Sequence, residues 1–255
     1  MPLEILTIPC LQDNYAYLIH DAASGQTALV DVPEASPILA ELSQRGWALS
    51  EVWITHHHTD HVDGLPEVLA QHPVKVVGSK GDAHRLPPLD VAVADADNFK
   101  FGGETVQVLD MSGHTIDHIA FYLPESDAFF TADSLMVMGC GRLFEGTPAQ
   151  MYSSLQKTAE MPPQTRIYSG HEYTASNASF ATTVDPANPA LILRIKDIED
   201  KRANGLPTIP STLELERETN PFLRADNPEV QEHLNLTGAS PVEVFTEIRA
   251  RKDRF

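Results

Sequence analysis

Residues 55–61 read THHHTDH. Four imidazoles and a carboxylate fall within six positions, in a chain whose 255 residues include only 11 histidines. The run follows an apolar strand pattern, EVWIT, and precedes a helical one, GLPEVLA, so it is a strand-to-helix loop. Such loops project several side chains into one place from a rigid support. His56 and His58 are two apart and can point together, which sends His57 the other way. Asp60 and His61 lie where the helix begins. Four ligands from one loop overfill a tetrahedral site that also needs distant partners, which points to two neighbouring metals. Structural zinc sites are closed and cysteine-rich, whereas catalytic ones use histidine and carboxylate and keep a position for water. No cysteine stands in this run, so the catalytic reading is preferred to a structural or incidental cluster.

Further ligands are expected at the ends of other apolar runs. His114 in MSGHTIDH follows ETVQVLD, Asp133 in FFTADSL follows AFF, and His171 in IYSGHEY follows RIY. Each occupies the same place in its local pattern as THHHTDH. Singly, a histidine or aspartate of this kind is more often a core or capping residue; together they supply the missing coordination.

Around these motifs the chain reads as α/β. LEILTIP, NYAYLIH and TALVDV are short β-prone runs separated by turn residues, the pattern of a meander. ASPILAELSQRG reads as a helix with Ser36 as N-cap, Pro37 at the first helical position and Gly46 past the end. VKVVG, DVAVA, ETVQVLDM, IAFYLP and AFFTAD continue the strands in two groups with helices outside. From Ala175 onward the patterns turn helical: PALILRIKDIEDKRANG, ERETNPFLRADNPEVQEHLNL and SPVEVFTEIRARKDRF. The last opens with Ser240, Pro241 and Glu243, the spacing of a capping box, and puts Val242, Phe245 and Ile248 on one face. The boundary is placed near residue 174, dividing the chain into 1–173 and 174–255.

Composition excludes several classes. About 42% of residues are hydrophobic, enough for a sizeable core, and no apolar run approaches the roughly 18 residues of a membrane span. The N-terminal MPLEILTIPC lacks the features of a signal peptide. Two cysteines, Cys10 and Cys140, make no disulfide framework and favour a reducing, cytoplasmic setting. Acidic residues outnumber basic ones 36 to 18, for a net charge of −18, which repels nucleic acid. RARKDRF at 249–255, with four cations in seven positions, is the exception.

THHHTDH, with GHT at 113–115, AD at 132–133 and GHEYT at 170–174, resembles the metallo-β-lactamase superfamily, whose metal signature is H-x-H-x-D-H. GCGRLFEGT at 139–147, PSTLELERETNPFLR at 210–224 and the terminal RARKDRF narrow the resemblance to the glyoxalase II (hydroxyacylglutathione hydrolase) family. It covers nearly the whole chain. The resemblance implies an αββα sandwich over 1–173 and a smaller, helical, substrate-binding domain over 174–255. It also implies that His56, His58 and His114 hold one metal, that Asp60, His61 and His171 hold the second, and that Asp133 bridges them. Two divalent ions are expected, zinc first, with iron or manganese as alternatives that such mixed sets accept. Asp60 and Asp133 would be catalytic through the hydroxide that the metals generate. His57 and His118 are not ligands in the family and read as packed or supporting histidines.

The implied activity is hydrolysis of S-(2-hydroxyacyl)glutathione thioesters, such as S-D-lactoylglutathione, by a monomer in the second step of methylglyoxal detoxification. Arg142, Phe144 and Tyr173 match positions that line the glutathione groove, and Arg249 and Lys252 match a C-terminal basic pair for its carboxylates. Phe144 stands where tyrosine is common and brings no hydroxyl. Asp63 and Asp117 stand where glycine is common. Ser112 replaces a common proline, and VPEA at 32–35 differs from the usual turn. Other readings keep the fold and change the chemistry, to a glutathione persulfide dioxygenase or a lactonase. A nuclease would need a basic stripe that this acidic chain lacks, and a non-catalytic scaffold need not retain seven ligands.

Overall fold

The computed structural model describes residues 3–255. Met1 and Pro2, where the N-terminal reading begins, lie outside the described residues. The chain forms two compact units: Met1–Asp110 with Asp117–Ala132, and Met111–Ile116 with Asp133–Phe255. It passes between them at residues upstream of 174.

The first unit opens with three antiparallel strands, β1 (Glu4–Cys10), β2 (Asn14–Asp21) and β3 (Gln26–Val30). Parallel pairing then takes over with β4 (Glu51–Trp53), β5 (Lys75–Ser79) and β6 (Val91–Val93), giving one six-stranded sheet in sequence order. Parallel neighbours need crossovers. These are α1 (Ala35–Arg45) before β4, and α2 (Thr59–Val62) with α3 (Leu65–Gln71) before β5. Ile38 and Leu42 of α1 and Leu65 and Val68 of α3 bury against Leu29 and Val52 of the sheet. Four consecutive antiparallel strands follow: β7 (Asn98–Phe101), β8 (Glu104–Asp110), β9 (Ile119–Leu123) and β10 (Ala128–Ala132). Every residue of β9 and β10 is buried.

Trp53 joins the two sheets of this unit. It is fully buried, and its ring lies 5.3 Å from Phe99, 5.4 Å from Phe101 and 5.3 Å from Phe121 between ring centroids. Edge and tilted contacts of this kind add to the burial itself. The metal-loop candidate begins two residues after Trp53, so its support is an anchored strand end.

The second unit carries a two-residue hairpin, β11 (Leu135–Met136) with β12 (Gly139–Cys140), then α4 (Pro148–Gln156). Next come β13 (Arg166–Ser169), α5 (Thr174–Ala181), α6 (Pro189–Ala203) and β14 (Ser211–Thr212), which pairs antiparallel with β13. α7 (Leu213–Thr219), α8 (Pro228–His233) and α9 (Pro241–Arg254) complete it. No helix among the described residues is long and apolar enough to cross a membrane.

Several local expectations change. α1 starts at Ala35 after an extended Glu34, not after Ser36, and Pro37 sits inside the first turn. That turn's N–H groups have no intrahelical acceptor, so a proline there costs no bond. Gly46 ends the helix in the left-handed conformation as expected, at φ 66°. The single helical pattern over 216–236 divides into α7 and α8, because Pro221 and Pro228 lack the N–H that would continue the ladder. In α9 the capping box forms, with both Ser240 and Glu243 side chains reaching back to the partner's backbone. Val244 rather than Val242 joins Phe245 and Ile248 in the core.

Trp53→Ala is expected to cost about 3–5 kcal/mol of stability in urea unfolding, the range for deleting a buried aromatic. A loss within experimental error would show that the sheet contact does not depend on this ring.

Candidate metal centre

In the first unit, Asp31 and Thr55 leave adjacent parallel strands at their C-terminal ends, where Asp31 N–H donates to the Trp53 carbonyl at 3.0 Å. Asp31 is buried and holds three donors. Its Oδ1 accepts from Thr55 N at 2.9 Å, and its Oδ2 accepts from Thr55 Oγ1 at 2.8 Å and stands 2.8 Å from His61 Nδ1. The Thr55 hydroxyl, having given its proton to Asp31, accepts from His56 Nδ1 at 3.0 Å. One carboxylate therefore keeps the Nδ1 proton on both His56 and His61, directly in one and through a hydroxyl in the other. The network assigns each ring the tautomer with its lone pair on Nε2, the form that binds metals.

His56 and His61 are fully buried, with ring centroids 4.2 Å apart. His58 stands across His56 at 4.7 Å. Asp60 is more open, and its Oδ2 lies 3.9 Å from His61 Nε2. The loop is tied down on both sides: Val32 N–H donates to the His61 carbonyl at 2.8 Å, and Ile119 N–H donates to the Thr55 carbonyl at 3.0 Å.

His57 points elsewhere, its Nδ1 2.9 Å from Oδ2 of the buried Asp82. His118 stacks on His56 at 4.8 Å. Asp63 is exposed at the end of α2. Asp117 takes φ 63°, the left-handed region, where glycine is the easiest residue and aspartate one of the few others tolerated. Its carboxylate faces Gly81, where a Cβ would meet Asp117 Oδ1 at 2.3 Å.

In the second unit, His114 and His171 flank Asp133. Oδ2 of Asp133 is 3.4 Å from His114 Nε2 and 3.3 Å from His171 Nε2. Two imidazole nitrogens and a carboxylate oxygen at this spacing can surround a cation. His114 Nδ1 donates to the Arg142 carbonyl at 2.7 Å, which again leaves the lone pair on Nε2. That approach requires Gly141. A Cβ there would stand 1.9 Å from the Asp133 carbonyl oxygen and 2.9 Å from His114 Nδ1.

All the donors are imidazole or carboxylate, and both cysteines are buried, free thiols. Burial pushes Cys10 up to about 12 and Cys140 up to about 11. The donor sets fit a divalent metal of the nitrogen- and oxygen-binding kind.

The residues expected to bind substrate divide by exposure. Phe144 is 61% exposed beside His114, with ring centroids 5.3 Å apart, and Tyr173 stacks on His171 at 4.7 Å. Arg142 is exposed and has Asp253 at 3.6 Å. Lys252 is half-buried, over the rings of Phe180 and Phe255 and 3.4 Å from the Ser176 carbonyl. Burial first, and Arg249 second, lower its pKa to about 8.

Arg249 does not face outward as one half of an exposed clamp. It is 5% exposed, donates to the Cys140 carbonyl at 3.0 Å, pairs with Asp253 at 2.8 Å and lies over Phe222. Its guanidinium holds the segment that follows β12. Sequence reasoning missed Asp31, Thr55 and the Arg142 carbonyl. Asp31 had a signal: it closes TALVDV as the histidine run closes EVWIT.

The metallo-beta-lactamase superfamily model matches residues 12–171, and the model of the hydroxyacylglutathione hydrolase C-terminus matches residues 172–255. A hydroxyacylglutathione hydrolase of Ruegeria pomeroyi is 62% identical over 255 residues, covering all of both chains. One of Roseobacter denitrificans is also 62% identical over the full length of both. The crystal structure of ETHE1 from Myxococcus xanthus matches with a TM-score of 0.66 at 26% identity, covering 99% of this chain and 98% of that one.

Asp31→Ala is expected to lower divalent-metal affinity about 10- to 100-fold, the usual effect of removing a carboxylate behind a ligand histidine. Metal retained after dialysis against a chelator measures it, and retention equal to wild type would remove Asp31 from this role.

Proposed function

Because this chain belongs to the hydroxyacylglutathione hydrolase family of the metallo-β-lactamase superfamily, we propose that it hydrolyses S-(2-hydroxyacyl)glutathione thioesters. S-D-lactoylglutathione is the representative substrate, giving glutathione and D-lactate as the second step of methylglyoxal removal. The observation that supports the reading is Asp133 Oδ2 standing 3.4 Å from His114 Nε2 and 3.3 Å from His171 Nε2, an arrangement that would suit a carboxylate shared between two cations. Residues 1–173 would form the catalytic domain and 174–255 the substrate-binding one, acting as a monomer in a reducing cytoplasm. Persulfide oxidation and lactone hydrolysis are set aside, since the relatives that match over their full length at 62% identity carry the hydrolase name, whereas ETHE1 is 26% identical.

His56, His58 and His114 would hold one divalent metal, and Asp60, His61 and His171 the other, with Asp133 common to both. Zinc is the first candidate, then iron or manganese. Bound metals would supply a water acidic enough to attack near neutral pH and positive charge for the carbonyl oxygen. The protein's own part is orientation. Asp31, Thr55 and the Arg142 carbonyl fix which nitrogen of His61, His56 and His114 faces inward, so these rings need no reorganisation during reaction.

On the thiol side, Arg142 and Lys252 would donate to the glutathione carboxylates, while Tyr173 and Phe144 offer ring surface beside the ligand histidines. Arg249 would act on substrate indirectly, by shaping the backbone around Cys140 and Gly141. Lys252 can accept this task because its ammonium is already partly desolvated. Less hydration remains to be stripped when an anion arrives.

Purified protein incubated with S-D-lactoylglutathione is expected to release free thiol in proportion to bound metal, with activity lost on chelation and restored by zinc. A fully metal-loaded protein that releases no thiol would refute the assignment. The Lys252 ammonium is charged below about pH 8 and neutral above it, so KM is expected to rise as pH passes through that region. Lys252→Ala should raise KM more than it lowers kcat and abolish the rise. A kcat loss with KM unchanged would take Lys252 out of substrate binding.

A further inference from the structure

We infer that Asn14 is the positioning residue for Asp60 and sets the affinity of the metal that Asp60 holds; the inference rests on the reading of Asp60 as a ligand given above. Asn14 opens β2, directly after the turn through Leu11–Asp13, and is 4% exposed. Its side-chain Nδ2 donates to the Asp60 carbonyl at 3.0 Å and to Asp60 Oδ2 at 3.1 Å, 46 positions along the chain. A primary amide has two N–H groups, so both contacts are made at once. One fixes the backbone of Asp60 and the other its carboxylate, and together they select the side-chain rotamer.

The contact matters because Asp60 is only half-buried, whereas its neighbour His61 is fully buried. Its side chain is 40% accessible, against none for His61. Burial and the Asp31 carboxylate set the orientation of His61, whereas a half-open carboxylate keeps one orientation only where donors hold it. Restraining it in advance lowers the entropy lost when a cation binds. The restrained oxygen is also the relevant one, since Oδ2 is the atom 3.9 Å from His61 Nε2.

The donor is itself held. Asn14 pairs with Cys10 across the hairpin. Leu11 occupies the left-handed region at φ 49°, and its N–H donates to Glu34 Oε2 at 2.9 Å, beside the start of α1. A β-hairpin whose turn residue is a leucine at positive φ is under backbone strain, and such strain is kept where a geometry is needed. Asparagine suits the position chemically as well. It presents two hydrogens and no charge, whereas aspartate would set a second acceptor against the carboxylate of Asp60.

The test compares metal-free wild type, Asn14→Ala and Asn14→Asp, each titrated with zinc against a chromophoric chelator. Near-UV circular dichroism of the metal-free forms is recorded alongside. In both variants one binding step is expected to weaken about 10- to 100-fold while the other changes less than about twofold, with metal-free spectra matching wild type. Two unchanged steps would overturn the inference. Equal weakening of both steps, or a lost near-UV signal in both variants, would show a structural role alone and overturn it too. Wild type that takes up no zinc would instead fail the metal reading itself, and this inference with it.

Discussion

The Asp31 carboxylate is the interaction on which the first unit's site depends. It is buried at the end of β3 and is satisfied by three donors from the adjacent strand end and from α2. A buried anion without partners would be expensive, so the network and the loop stabilise each other. Remove the loop's donors and the carboxylate is left uncompensated; remove the carboxylate and two imidazoles lose their assigned tautomer. The second unit solves the same problem with a neutral acceptor, the Arg142 carbonyl, made reachable by a glycine next to it in the chain. Two acceptors of different charge thus prepare histidines for the same kind of ligand.

This arrangement explains why the candidate ligands come from chain positions so far apart. In the first unit the strands β3 and β4 run parallel, so their C-terminal ends lie together and the residues just past them converge. In the second unit His114, Asp133 and His171 each belong to a connection between elements, and around His114 and Asp133 the packing tolerates no larger residue at Gly113 or Gly141. Gly141 shows how narrow that tolerance is, since any side chain there would collide with the Asp133 carbonyl.

Much of the architecture was legible because the sequence repeats one physical pattern. Apolar runs of four to eight residues, bounded by turn formers, gave most of the long strands, and the Ser240 capping box gave the start of α9. The candidate ligands were legible because histidine and aspartate stood at the ends of those runs. The pairs of two residues that form β11, β12 and β14 carry no period and could not be read. The burial of Arg249 was not legible for a different reason. A cation near a chain end reads as surface, and only the Cys140 carbonyl, Asp253 and the face of Phe222 explain how its charge is accommodated inside. Asp31 and Asn14 escaped notice because an orienting residue has no spacing rule of its own; its partner is defined only once the chain has folded.

The two cysteines have a consequence for an enzyme proposed to liberate glutathione at its own surface. Exchange between a protein thiol and a glutathione disulfide needs an accessible thiolate. Cys10 and Cys140 are both buried and both held far from ionisation. The protein can therefore work beside the disulfide form of its sulfur-bearing product without exchanging into a mixed disulfide.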